Sequence, residues 1–525
     1  MTKKMALAAA FAVVLAAQAP DMVSERNLRA DLNFLCSDAL AGRESMTPGA
    51  AAAAQFIATE FERAGLAPAA GGSYLQEFPL VAFQPDRART RLTIDGEPLE
   101  YGTQFTGAFP REVTVKAPVV FAGYGITAPE YGYDDYTGID ARGKIVLIFD
   151  HEPQETDPKS VFNGVGETRY GHIRTKMENA IRHGAVGMLV VSEPLRKHRG
   201  AFDPRPRTAD GRSVRATAPR QVIDETTSIP DFSISDAAAQ KLLSITGKTP
   251  SELQAAIDGD LRPASQPLPN TEVTMSTAVA HAEHGKSANV VGLLEGSDPA
   301  LKSETVILSA HYDHLGVHNG QVYRGANDNA SGSVAVMELA RMFARDRPRP
   351  KRSLLFIVFG SEEESLSGSF YYAEHPLRPL DTTRAVVNLD MIGRDEAHIP
   401  QSRGVVDIPA DTSNELNLVG TFYSPDLQAL ILEANRHTGL ELSTKFDRDH
   451  DLNVLYRCDH FPFLVHGVPA VWFFGGFHPG YHEPIDTVDR LDFPKLEKVV
   501  RLAYWTARSI ADGKNTPKFI ASGPD

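Results

Sequence analysis

Apolar positions along the chain follow several distinct textures. Between residues 26 and 66, Leu28, Leu32 and Leu35, then Phe56, Ile57 and Phe61, recur at helical spacing and Gly65 supplies a stop signal. Two helices joined by a loop around Ala41-Gly42-Arg43-Glu44 are expected there. Beyond Gly71 the pattern changes to short alternating runs, including residues 74–83 and 91–94, punctuated by Gly, Pro and Asp. That texture predicts strands and turns. A second shift comes near Pro118: apolar runs at 119–121, 143–148 and 184–191 predict strands around a helical stretch at 176–183, and a strand at 229–234 with a helix at 236–243 closes the unit. From about residue 288 to 513, runs at 305–308, 354–359, 385–389 and 470–474 are apolar throughout, and helical patterns at 331–344, 425–438 and 494–510 alternate with them. Strands without alternation are buried on both faces, as in a parallel sheet covered by helices. The expected fold class is therefore α/β, with a mixed, largely parallel central sheet flanked by helices and an inserted β-rich unit.

The first residues read differently. Lys3 and Lys4 precede an apolar run from Met5 to Ala17, and Ala17-Gln18-Ala19 has the small-x-small pattern of a cleavage site. The run is too short to span a bilayer. A signal peptide over residues 1–19 is expected, giving a periplasmic or secreted protein with no membrane span in its mature form. Composition adds exclusions. With 42% hydrophobic and 23% charged residues, the chain has the balance of a globular protein, and its 525 residues call for more than one folding unit. The net charge of -14, with no basic stripe, argues against nucleic acid as a partner. Only two cysteines, Cys36 and Cys458, are present, so any metal must be held by His and carboxylates.

Such residues fall at the ends of the apolar runs. His311 and Asp313 follow the run ending at Leu308, Glu362 and Glu363 follow Phe359, Asp390 follows Leu389, and His482 lies a few residues past Phe474. Ligands of open α/β sheets bind outside the carboxyl ends of the strands. Asp328 joins from a glycine-flanked loop, Gly325-Ala326-Asn327-Asp328-Asn329-Ala330-Ser331-Gly332, that opens a helix. Singly, a His or Asp after a strand is most often a turn or capping residue, and Glu362 to Glu364 would usually be a solvated helix start. Together, two imidazoles and three carboxylates make a hard N/O set suited to two Zn2+ ions, with Mn2+ or Co2+ as substitutes. The count closes if Asp328 bridges, His311 and Asp390 hold one ion, and Glu363 and His482 hold the other. Glu362 is then left as the general base for a water held between the cations. Asp313 is placed to accept the second N–H of His311.

His311-Tyr312-Asp313-His314-Leu315-Gly316, the Asp328 loop, Ser361-Glu362-Glu363, Asn388-Leu389-Asp390-Met391-Ile392-Gly393 and Tyr481-His482-Glu483-Pro484 resemble the successive motifs of the co-catalytic zinc exopeptidases, the family of bacterial leucyl aminopeptidase and glutamate carboxypeptidase. The resemblance implies the same metal ligands and base. Gly123-Tyr124-Gly125, Gly143-Lys144-Ile145-Val146 and Gly184-Ala185-Val186-Gly187 resemble a protease-associated (PA) domain inserted into the catalytic domain. The implied organisation is a signal peptide at 1–19, an N-terminal part of the catalytic domain at 20–110, a PA-like insertion at 111–270 and the main catalytic part at 271–525. Two positions depart from the pattern: Ser365 replaces the usual Gly after the Glu pair, and Cys458 stands where Ser usually precedes Asp459-His460. Asp459, His460 and Arg394 are candidates for the substrate pocket. The expected activity is removal of N-terminal residues from peptides. Carboxypeptidase action, with Arg394 as the cation for a terminal carboxylate, and single-zinc glutaminyl cyclisation are the alternatives. A non-catalytic receptor-like protein would be expected to lack ligands or base, and this chain keeps all of them.

Overall fold

A computed structural model describes residues 23–164, 166–195, 219–224, 228–449, 451–514 and 516–522. The expected signal peptide lies outside the described residues. Two large sheets organise the chain. In the first, four neighbouring strands, Ser353–Phe359, Thr305–His311, Thr383–Asp390 and Ala470–Phe474, run parallel, and every residue in them except Arg384 is buried. Their unbroken apolar character thus has the cause read from the sequence: helices or loops cover both faces. Helices Glu25–Leu35, Pro48–Ala64, Gly332–Arg345, Pro425–Ala434 and Phe493–Asp512 pack on one face, and Ser367–Glu374 and Phe461–Val465 on the other. Antiparallel strands extend the sheet on both sides, through Val279–Leu294 and Leu75–Pro85 at one edge and Glu415–Val419 at the other. The fold is α/β with a mixed sheet and a parallel centre.

The second sheet is the inserted unit. Its strands are ordered Glu97–Pro98, Arg91–Ile94, Gln266–Thr277, Val113–Phe121, Ile145–Phe149, Gly187–Val191, Asp231–Ile234 and Phe105–Gly107. This moves the expected boundaries. Strands 91–94, 97–98 and 105–107, assigned from sequence to the catalytic part, are hydrogen-bonded into the inserted sheet, as is 266–277 almost to the start of Val279–Leu294. Conversely, Arg220–Ile223, in the middle of the insertion, returns to pair with Leu75–Pro85 of the catalytic sheet. Alternation shows that a segment is a strand; it carries no information about which sheet supplies the partner.

Register in the parallel centre positions the site. His311 lies opposite Phe359, and Asp390 opposite Phe474, so the four strands end level at one edge.

Candidate metal centre

Four of the site residues come from strand ends: His311 and Asp390 are the last residues of their strands, and Glu362 and Glu363 follow Phe359 by a tight turn. Asp328 sits in the irregular turn Ala326–Ser331 ahead of helix Gly332–Arg345, with non-helical φ and ψ of -108° and 97°. The two oxygens of Asp328 face opposite ways. Oδ1 is 3.5 Å from His311 Nε2, while Oδ2 is 3.1 Å from His482 Nε2. On the first side, Asp390 Oδ1 also lies 3.5 Å from His311 Nε2, with Glu362 Oε2 at 3.8 Å. On the second, Glu363 Oε2 lies 3.3 Å from His482 Nε2. All five residues expected as ligands, and the expected base, are thus brought together.

The donor set fits divalent cations. Nitrogen and oxygen ligands held about 2.0–2.2 Å from a tetrahedral zinc stand roughly 3.3 Å apart, the range of these separations. Among the described residues, the buried His311 Nε2 and Asp390 Oδ1 have no hydrogen-bond partner. Buried polar atoms left without partners are rare because each costs desolvation energy, and an ion between them would account for both.

An outer layer fixes these groups. Asp486 accepts the backbone N–H groups of Asn327 and Asp328 at 2.9 and 3.1 Å, holding the shared carboxylate's turn. The Trp472 indole donates to Asp390 O at 3.1 Å, and the Cys458 thiol donates to Asp390 Oδ2 at 3.1 Å. Burial pushes the Cys458 thiol well above its usual range, which keeps the donor proton in place. Cys458, at the position where Ser is usual, therefore orients the Asp390 carboxylate. Arg43 is fully buried and donates to Tyr312 O, Leu35 O, Arg324 O and Gly325 O, tying the two loops that carry His314 and Asp328. Nothing in the sequence distinguished it from an ordinary loop arginine.

Asp313 stands on the Nδ1 side of His311, as expected, and has further partners. Its carboxylate is 3.7 Å from His311 Nδ1, farther than its own carbonyl oxygen at 3.3 Å. Its carboxylate also accepts from the backbone N–H groups of Glu362 and Glu363, at 3.0 and 3.3 Å. Asp313 is a positioning residue for the loop that carries base and ligand. That loop is strained: Ser361, Ser365 and Leu366 all have φ near +60°, as do Met391 and His482 around the same site. Non-glycine residues seldom occupy this region, and such residues gather where a site over-determines the backbone. Ser365 keeps the left-handed turn that glycine usually provides.

The site opens on a cavity of about 350 Å3 lined by Asp328, Glu362, Glu363 and Asp390 and by Leu315, Met391, Tyr456, Arg457, Phe477 and Tyr481, among others. Burial pushes the Glu362 carboxyl well above its usual range; Asp459, Glu363 and Asp390 add to this against the pull of His311. Burial alone would lower His482, but Glu363 and Asp328 hold it up at about 9. The expected pocket residues are corrected. Asp459 and His460 are fully buried and do not line the cavity, because the chain turns inward there to begin helix Phe461–Val465, and His460 packs against Trp472. Arg394 stands behind the cavity, against Gly480. Tyr456 and Arg457, just before the inward turn, face the cavity instead.

Residues 289–506 match the sequence profile of peptidase family M28, and residues 115–242 match that of the PA domain. The catalytic region thus belongs to peptidase family M28, and the inserted unit is a PA domain. Among curated proteins, the chain is similar to aminopeptidase YwaD of Bacillus subtilis, 27% identical over 241 residues, 45% of this chain and 47% of the relative. It is also similar to aminopeptidase NAALADL1 of Rattus norvegicus, 25% identical over 319 residues, 53% of this chain and 39% of that one. The chain spans about half the length, or less, of the curated relatives it matches. Among solved structures, it aligns with the aminopeptidase from Aneurinibacillus sp. strain AM-1 at 20% identity and a TM-score of 0.48, covering 96% of this chain and 98% of that one.

Proposed function

We propose that the protein is a zinc aminopeptidase working with two cations, exported to the periplasm or medium, and cleaving N-terminal residues from peptides. The observation that carries this reading is the split of Asp328, with one oxygen toward His311 and the other toward His482. His311 and Asp390 would hold one cation, Glu363 and His482 the other, and Asp328 both. Bound cations would lower the pKa of water and polarise the scissile carbonyl. Glu362 takes a proton from the attacking water as the new C–O bond forms, and returns a proton to the departing amine nitrogen as the C–N bond breaks. The relatives named aminopeptidases support the reaction class, and the carboxylates lining the cavity suit a substrate's α-ammonium group. Export rests on the charged, apolar and small-residue order of residues 1–19.

Arg457 on the cavity wall favours one second reading, carboxypeptidase action, because a terminal carboxylate needs a cation. Amino-blocked and carboxy-blocked dipeptides separate the two on zinc-loaded protein. Cleavage of the carboxy-blocked peptide alone is expected; cleavage of the amino-blocked peptide alone would reject the aminopeptidase reading.

A further inference from the structure

The ligand assignment leaves one imidazole of the site without a role. His314, the fourth residue of the His311 motif, is completely buried, and its Nδ1 lies 2.8 Å from Glu363 Oε1 and 3.8 Å from Asp328 Oδ2. Nδ1 is close enough to Glu363 Oε1 for a strong charge interaction, yet among the described residues no well-aligned hydrogen bond reaches either ring nitrogen. An interior imidazole with both nitrogens in that condition is costly unless something else satisfies it.

We propose that His314 is a fourth protein ligand, through Nδ1, of the cation held by Glu363, His482 and Asp328. This rests on the two-cation reading. Three observations carry it. First, the separations of Nδ1 from its two carboxylates straddle the roughly 3.3 Å expected between ligands of one tetrahedral zinc, as do those of His482 Nε2 at 3.1 and 3.3 Å. Second, His314, Asp328 and Glu363 each offer a ligand atom within 4.8 Å of the other two, in a buried pocket. Third, the ring is seated by a stiff frame. A Cβ on Gly325 would stand 2.5 Å from His314 Cγ, so only glycine leaves room for the ring there, and Gly325 also holds a left-handed φ of +53°. The backbone N–H of His314 donates to Arg43 O, and Arg43 in turn grips Tyr312 O and Gly325 O. Ligands work best when their supports are this constrained.

The consequence is an unequal pair. Four protein ligands close a zinc site, whereas three leave a position for water or substrate. The Glu363 and His482 side is then closed and tight. The His311 and Asp390 side stays open, beside Glu362.

Titrating metal-free protein with Zn2+ against a chromophoric chelator, and with Co2+ followed by its visible absorption, tests this. Wild-type protein should take two equivalents. His314→Ala should weaken one site by more than about 100-fold, leave the other within threefold, and reduce the Co2+ absorption of the weakened site as its coordination expands. An outer partner of a ligand costs about 10–100-fold and leaves the ligand set unchanged. His314→Asn, whose side-chain oxygen takes the Nδ1 position, should recover part of the affinity, and it gives the same readout should the alanine variant fail to fold. Two equivalents in wild type with unchanged Co2+ absorption in the variants would overturn the His314 assignment alone. A single equivalent in wild type would overturn the two-cation reading, and this inference with it.

Discussion

The protein buries two clusters of acidic residues, and the difference between them separates a site from a structural element. Both lie at the carboxyl ends of parallel strands. In the catalytic region Asp328, Glu362, Glu363 and Asp390 gather around His311 and His482. In the PA domain Glu152, Glu155, Glu167 and Glu193 gather around His151, beyond strands Ile145–Phe149 and Gly187–Val191. In this inner cluster, in the PA domain, the protein itself supplies partners for Glu152, His151 and Glu155. Glu152 accepts from the Thr168 N–H at 3.0 Å and from its hydroxyl, His151 Nδ1 pairs with Glu155 at 2.9 Å, and the buried Lys176 ammonium caps Tyr124 O, Phe149 O and His151 O. Burial drives the Glu152 carboxyl up to about 8. The void lined by Glu167 measures about 10 Å3, room for at most one water, against about 350 Å3 over the catalytic cluster. Acidity and burial are common to both. A shared carboxylate flanked by two imidazoles, facing an open cavity, belongs to one.

The sharpest way to break this contrast is Asp328→Ala. It should remove or cripple both cation sites and with them essentially all activity, read by metal analysis beside turnover. Retention of two cations would remove Asp328 as the shared ligand. Glu362→Gln comes next, with a loss of about 10²–10⁴-fold in kcat and unchanged zinc content, because it removes a base and not a ligand. Equal loss of zinc would erase the division between Glu362 and Glu363. In the outer layer, Cys458→Ala should weaken zinc binding by about 10–100-fold at the upper end for such partners, while Cys458→Ser, which keeps a donor to Asp390, should stay near wild type. Equal behaviour of the two would reduce Cys458 to a space-filling residue.

The smallest effects belong to the inner cluster. His151, Glu155 and Glu193 are close enough to hold a cation, so Glu155→Gln should leave zinc content unchanged if that cluster is structural. A lost equivalent would break the comparison. Glu152 supplies a pH test. Its carboxyl is raised from 4.5 to about 8 in the folded state, so between those values the folded protein keeps a proton that the unfolded chain has released. This contribution to stability is greatest below about 4.5 and declines as pH rises toward 8, by at most about 1.4 kcal/mol per pH unit. Melting temperature against pH should therefore be flatter in Glu152→Gln than in wild type across that window.

Much of the catalytic cluster was legible in the sequence because His311, Glu363 and Asp390 each follow closely on an apolar run without alternation, the texture of a strand buried on both faces. Their shared register then delivers His311, Glu363 and Asp390 to one edge. What escaped depends on contacts between segments distant in sequence. Arg43 acts on carbonyls from residues 312, 324 and 325, and nothing local marks it. Asp313 stands two residues from His311, and its further partners are the amides of Glu362 and Glu363. His314 lies inside the His311 motif, and the ligand count closes at five without it. The pocket residues failed for a related reason: whether Arg457 or Asp459 faces the cavity is decided by where the chain turns inward, before Phe461. The inner cluster offered no spaced motif, only scattered glutamates.

The central claim is that one carboxylate serves two cations. Diffraction from zinc-loaded crystals at the zinc absorption edge measures this directly. Two anomalous peaks are predicted, one within about 2.0–2.2 Å of Asp328 Oδ1 on the His311 side and the other within the same distance of Oδ2 on the His482 side. A single peak, or two of which either leaves Asp328 untouched, would contradict it.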